Sequence, residues 1–338
     1  MKRLVFVFLV AVAILIGNGT GAAIASEALK EIGFGVIPTE SATEGMKGFE
    51  PFRADMEKAL GIPVKLFFAT DYAGIIEGMR FNKVQIAWFG NKSAIEAVNR
   101  ANGEVFAQTV DAGGNPGYWS LILVHKDSPY KTIDEIIRDG KNLTFGNGDP
   151  NSTSGYLVPT YYIWGQRGID PAKQFKVVRN ANHEANLMAV ANKQVDFATN
   201  NTENLEKAGK IHPEAVKNIR AIWKSPLIPS DPMVWRKDIP KEWKSKIKGF
   251  FLSYGRFGKD KEREVKVLKA VSSGWAPFLD SSNNQLIPIM EINIAKDKMK
   301  IESDSANASA NAGKLAEIDK QLTELRALSR LQERFNVQ

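Results

Sequence analysis

Between Leu143 and Gly155 the chain reads Leu-Thr-Phe-Gly-Asn-Gly-Asp-Pro-Asn-Ser-Thr-Ser-Gly. An apolar strand-like start runs into a Gly-Asn-Gly turn. Three consecutive hydroxyl residues, Ser152, Thr153 and Ser154, then open a segment whose Tyr156, Leu157 and Tyr161 are spaced for a helix. The first amides of a helix have no internal acceptor and carry the positive end of its dipole. With hydroxyl donors added at the same point, such a turn can hold a tetrahedral oxyanion without any formal positive charge. One N-cap needs only one Ser, Thr or Asn; a triplet after Gly-x-Gly points to an anion site. It is not a nucleotide loop, which needs Gly-Lys before Ser or Thr, nor a nucleophile elbow, which needs Gly-x-Ser-x-Gly.

A second polar turn, Asn200-Asn201-Thr202-Glu203-Asn204, follows the strand-like Val195–Ala198. Ligands of open α/β sheets sit beyond the carboxyl ends of strands, which is where Glu203 falls. The same acid would also suit the first turn of a helix, and the sequence leaves both uses open. His183 opens another helix in Asn182-His183-Glu184, a place where an isolated His ordinarily lies on the surface or caps. It is one of only three histidines, and their spacing matches no metal motif, so neither metal nor cofactor is expected. Asp231 stands in the turn Ser230-Asp231-Pro232; Tyr72 and Tyr118 mark, respectively, a strand-to-helix turn and a change of chain direction.

The elements that must position these groups alternate. Ile32–Ile37, Val64–Phe68, Gln85–Phe89 and Val105–Val110 read as strands, and the helical stretches Gly45–Leu60, Tyr72–Met79 and Ser93–Ala101 separate them. That order predicts an α/β fold with a parallel sheet covered on both faces. The pattern restarts after Tyr118, with strands at Leu143–Phe145, Phe175–Val178 and Val195–Ala198 and a helix from Thr132 to Arg138. It returns once more with Met233–Trp235 and helices near 241–254 and 260–271. The expectation is two lobes with a cleft between them: 26–124 and 229–294 forming the first, 125–228 the second. The crossings would lie near Tyr118–Val124 and Ser225–Val234. From 295 to 338 a single long amphipathic helix is predicted, with Leu315, Ile318, Leu322, Leu325, Leu328 and Leu331 as its stripe. Two uses are open to that stripe: packing on the chain's own lobes, or pairing with another copy in a homodimer.

The first residues read as a secretory signal peptide, 1–25. Lys2 and Arg3 precede the apolar run Leu4–Ile16, and Ala23-Ile24-Ala25 offers a cleavage pattern before Ser26. The apolar run is too short to span a bilayer, and an exported protein in the periplasm is expected. Cysteine is absent, so neither a disulfide nor a lipid-anchored cysteine enters the reading. The formal charge of +7 falls to +5 once Lys2 and Arg3 are removed (7 − 2), and it is spread among acids. A scattered surplus is compatible with anion attraction but lacks the basic stripe of a nucleic-acid binder.

These stretches together resemble the periplasmic phosphonate-binding proteins of ABC importers over essentially the whole exported length. The resemblance is carried by Asp71–Ile76, Gln85–Gly90, Gly117–Ser120, Gly148–Gly155, Ala198–Asn204 and Trp223–Pro229. It implies a type II periplasmic-binding fold that closes on its ligand, and a permease in the inner membrane as partner. It further implies that Ser152, Thr153 and Ser154 grip phosphonate oxygens, with Tyr72, Tyr118 and His183 completing that end. Glu203 and Asp231 are implied to face an amino group, which selects 2-aminoethylphosphonate. Phe89 stands where the close relatives are expected to carry Tyr. Rival readings keep the class but take phosphate, phosphite or an alkylphosphonate as ligand. A reading of another class makes the chain a phosphonate or phosphoester hydrolase, with Ser152 or Thr153 as nucleophile and His183 as base.

Overall fold

The computed structural model describes residues 29–303 and 308–336. The expected signal peptide, 1–25, lies outside them. No helix among the described residues is long and apolar enough to cross a membrane.

Two sheets organise the chain. The first has the order β13-β4-β12-β3-β1-β2, built from β1 (Ile32–Val36), β2 (Val64–Phe67), β3 (Ile86–Trp88), β4 (Gly103–Asp111), β12 (Pro232–Arg236) and β13 (Trp275–Asp280). The second has the order β10-β6-β9-β7-β8, from β6 (Ser120–His125), β7 (Thr144–Gly148), β8 (Val177–Ala181), β9 (Phe197–Asn201) and β10 (Ile219–Lys224). A two-stranded ribbon joins them, pairing β5 (Gly117–Tyr118) with β11 (Ile228–Pro229). Gly117 is required there, because a Cβ would stand 2.1 Å from the Ile228 carbonyl oxygen.

The sheets are mixed where parallel ones were expected, and connectivity explains the difference. β1 pairs parallel with β2 and β3, but β12 enters antiparallel between β3 and β4. The chain leaves the first sheet at the end of β4 and comes back through β11 at that same end, so the returning strand must run the other way. The second sheet repeats the arrangement: β7, β8 and β9 are parallel, β6 runs against them, and β10, antiparallel to β6, runs with them again. β10 and β13 carry no clean alternation and were not read from the sequence. The expected lobe boundary at 124 also differs. Ser120–His125 pairs with β9 and β10 in the second sheet, so the first crossing is complete before Ser120.

Consequently the carboxyl ends of β1–β3 and of β7–β9 converge on one cleft, where loops of open α/β sheets place ligands. Aromatic packing makes each lobe rigid. Phe106 stacks on Trp235 at 4.2 Å in the first, and Phe145 on Phe197 at 4.5 Å in the second. Local signals start the helices as read: Thr132 forms a reciprocal capping box with Glu135.

The tail is two helices rather than one. Ile287–Glu302 and Ala308–Asn336 pack on each other, with Lys298 against Asp319 and Arg326 against Glu291. Those pairings, one ascending and one descending in number, make the hairpin antiparallel. Leu322 and Leu325 are buried while Leu328 and Leu331 are about half exposed. The first half of the stripe thus serves the chain's own body, and pairing with another copy gets no support from this packing. The helix Ile287–Glu302 touches both lobes, meeting the helix Asn91–Arg100 of the first and the segment Thr160–Trp164 of the second.

Candidate functional site

All eight residues singled out from the sequence line one pocket between the lobes: Tyr72, Tyr118, Ser152, Thr153, Ser154, His183, Glu203 and Asp231. Its two ends differ in chemistry.

At one end the chain leaves β7 and makes a π-helical turn over Thr153–Leu157, with Ser152 as its cap. Such turns are short, rare irregularities that recur at functional sites. Gly148 lets it form: a Cβ there would lie 2.4 Å from the Gly155 carbonyl carbon. Each hydroxyl of the triplet accepts from a fixed nitrogen. Ser152 Oγ accepts from Gly155 N at 3.0 Å, Thr153 Oγ1 from Lys92 N at 2.9 Å, and Ser154 Oγ from Asn201 Nδ2 at 3.0 Å. The Thr153 bond joins the lobes, because Lys92 begins the helix after β3. The Tyr72 phenol is hydrogen-bonded to Ser152, and burial raises its pKa. His183 is buried beside this end, not exposed as an isolated His ordinarily is. Burial pushes its pKa down to about 4, so the ring is neutral at neutral pH.

The other end is acidic. Asp231 Oδ1 accepts from Tyr118 OH at 3.0 Å and Oδ2 from Trp88 Nε1 at 3.1 Å. Burial raises its pKa to about 7 despite those two donors. Glu203 is driven well above the usual carboxylate range, first by burial and then by the charge of Asp231. No donor among the described residues meets the Glu203 carboxylate. Two acids facing one pocket, Asp231 buried and Glu203 half-buried and without a donor of its own, form a place for a cation.

Further contacts tie the lobes across the mouth. Tyr72 N donates to Asp149 Oδ2 at 3.1 Å, Ser41 N to Glu184 Oε2 at 2.8 Å, and Lys207 pairs with the buried Glu40. Lys207, Trp88, Asn201 and Thr39 line the pocket without having been singled out from the sequence. Trp88 and Asn201 lay inside stretches already conspicuous, Gln85–Gly90 and Ala198–Asn204. What concealed them was that Trp reads as core and Asn as a cap. Phe89 is fully buried and does not line the pocket. Among the described residues, no cluster of His, Cys, Asp and Glu could hold a metal.

Gly148→Ala is expected to displace the hydroxyl turn and weaken every anion bound there by about tenfold or more, since overpacking costs ~1–3 kcal/mol. Isothermal titration with phosphate against wild type measures it.

Residues 34–286 match the family model described as ABC transporter, phosphonate, periplasmic substrate-binding protein. The phosphonates-binding periplasmic protein of Escherichia coli is 52% identical over 306 residues, covering 90% of this chain and 88% of that one. The crystal structure of a binding-protein component of a phosphonate ABC transporter from Pseudomonas aeruginosa superposes with a TM-score of 0.85 at 47% identity, covering 91% of this chain and 99% of that one. A Prochlorococcus marinus protein in complex with methylphosphonate superposes with a TM-score of 0.67 at 25% identity, covering 78% of this chain and 97% of that one.

Proposed function

The chain belongs to the periplasmic substrate-binding proteins of phosphonate ABC transporters, and from that premise we propose that its ligand is 2-aminoethylphosphonate. A family of transport components that bind without turnover leaves no place for the hydrolase reading. The type II periplasmic-binding architecture supplies two lobes that close about the β5–β11 ribbon.

The observation that carries the ligand is the polarity of the pocket. An anion needs the donors at the Ser152–Ser154 end. A plain phosphate, phosphite or alkylphosphonate would leave Glu203 and Asp231 facing nothing positive and place its own charge beside theirs. An ammonium a few bonds from the phosphonate satisfies both. Ser152, Thr153, Ser154, Tyr72 and His183 then hold the phosphonate oxygens. Glu203 and Asp231 take the ammonium, and Tyr118, expected with the phosphonate donors, instead donates to Asp231 and orients it. The ligand travels from an exported protein to a permease, in keeping with the periplasmic relatives and the signal-like Lys2–Ala25.

Titration calorimetry with 2-aminoethylphosphonate, ethylphosphonate and phosphate tests this reading. Binding of the first tighter by at least a hundredfold is expected; equal binding of all three would remove the two acids from the ligand's surroundings.

Protonation provides a second readout. Without ligand, the raised acids hold protons that the unfolded chain loses above its ordinary carboxylate pKa of ~4. Their stabilisation is therefore complete below that value and is lost as pH rises to about 7, where Asp231 ionises in the folded state. An ammonium replaces those protons. Binding of 2-aminoethylphosphonate at pH 6 should thus release protons and tighten as pH rises toward 8. Calorimetry in buffers of different ionisation enthalpy measures that release, and proton uptake on binding would contradict it.

A further inference from the structure

One side chain dictates where the hydrogens lie at the anion end. Asn201 closes β9 and caps the helix Thr202–Ile211: its Oδ1 accepts the Asn204 backbone N–H at 2.7 Å. A backbone amide can only donate, so the carbonyl oxygen of Asn201 must face it and the NH2 group must face away. Nδ2 then lies 3.0 Å from Ser154 Oγ and 3.2 Å from His183 Nε2. An amide nitrogen has two hydrogens, and each has one taker.

The consequences follow from valence. His183 Nε2 is an acceptor, so the neutral ring carries its hydrogen on Nδ1. That atom is buried and has no partner among the described residues. Ser154 Oγ, already accepting, keeps its own hydrogen for an occupant of the pocket. Thr153 is in the same state, since its hydroxyl accepts from the Lys92 backbone N–H, while Ser152, which accepts from Gly155 N, shares its hydroxyl with the Tyr72 phenol. The Asn200 side chain steadies the assembly by donating to the His183 carbonyl at 2.9 Å.

We propose that Asn201 is a positioning residue that holds Ser154 and His183 as hydrogen-bond donors, making the anion end a cage of donors suited to a phosphonate that carries no proton. This deepens the ligand reading above and rests on it. A protonated phosphonate brings an O–H that must take the remaining lone pair of a hydroxyl and turn that hydroxyl's own hydrogen away, whereas the dianion accepts from each donor as it stands. Neutral His183 contributes as a dipole, so the cage does not gain or lose a charge between pH 5 and 8.

The test has a part that needs no ligand. With only three histidines in the chain, 15N–1H spectra of the ligand-free protein can be assigned by comparison with His183→Gln. Wild type is expected to show His183 protonated at Nδ1, with Nε2 as a bare acceptor. Two variants keep the helix cap, since Asp and Ser cap as well as Asn does. Asn201→Asp removes both donors and should lower affinity for ethylphosphonate and phosphate by a hundredfold or more. Asn201→Ser is uncharged, supplies one donor where Asn supplied two, and should cost about tenfold while mixing the two His183 tautomers. Melting temperatures within a few degrees of wild type would show that both fold. An Nε2-protonated His183 in wild type would overturn the proposal. So would an Asn201→Ser variant that binds as wild type does, since loss in Asn201→Asp alone would then be charge repulsion. If wild type bound none of the phosphonates, the ligand reading would fall, and the tautomer would still decide the hydrogen arrangement.

Discussion

The double variant Glu203→Gln/Asp231→Asn is expected to bind 2-aminoethylphosphonate at least a thousandfold more weakly, yet to hold ethylphosphonate as well as wild type or better. The two substitutions keep shape and remove charge. Truncating one partner of a buried charge pair costs roughly 2–5 kcal/mol, and ~1.4 kcal/mol is tenfold, so losing both acids reaches the thousandfold range. The opposite sign for ethylphosphonate comes from the unliganded site. Glu203 and Asp231 already pay for their burial by holding protons, as their raised pKa values show. An anion entering beside them gains when they can no longer ionise. Asp231→Asn keeps an oxygen for the Trp88 indole N–H, which can only donate, while its new NH2 can donate to the Tyr118 hydroxyl oxygen once that hydroxyl turns its own hydrogen away, so the pocket wall should stay in place. Parallel titrations with the two ligands decide the matter. Equal losses for both would mean that the acids shape the pocket and do not read the amine.

Thr153→Val should weaken all of these ligands alike, by about a hundredfold. Valine has nearly the same shape but no hydroxyl. The exchange removes a donor to a charged oxygen, worth ~1.5–3 kcal/mol, and leaves the buried Lys92 N–H without its acceptor at ~1–3 kcal/mol. The second loss is the informative one, because that hydrogen bond crosses between the lobes and exists only when the cleft is shut. Part of the affinity should therefore vanish as a shift toward the open form, visible as a larger radius of gyration by small-angle scattering in the presence of ligand. A selective loss for the aminated ligand would contradict the assignment of Thr153 to the phosphonate end.

Much of the molecule was legible because the signals involved are short in range. Thr132, read as a cap from the sequence, caps its helix in the structure through the Glu135 backbone N–H three residues on, and such a bond forms whatever the rest of the chain does. The Ser152–Ser154 turn is equally local, since Gly148 and Gly155 permit it and the N–H of Gly155 holds it. The tail misled the reading for the same reason. The stripe Leu315–Leu331 is regular, but its spacing cannot tell that it packs on the helix Ile287–Glu302, as the burial of Leu322 and Leu325 and the contact of the two helices show.

By itself the sequence determined the alternation of strands and helices, the hydroxyl turn, the helix caps and the family, since each depends on neighbours along the chain or on motifs within a few residues. Only the tertiary structure decided the antiparallel entry of β12, the burial that neutralises His183, the meeting of Glu203 with Asp231, and the double duty of Asn201. Those depend on how two distant crossings bring loops together, and on the low dielectric that exists only once both lobes surround them. An Asp before Pro looks the same in a surface turn as in a closed cleft; its pKa near 7 arises from what packs around it.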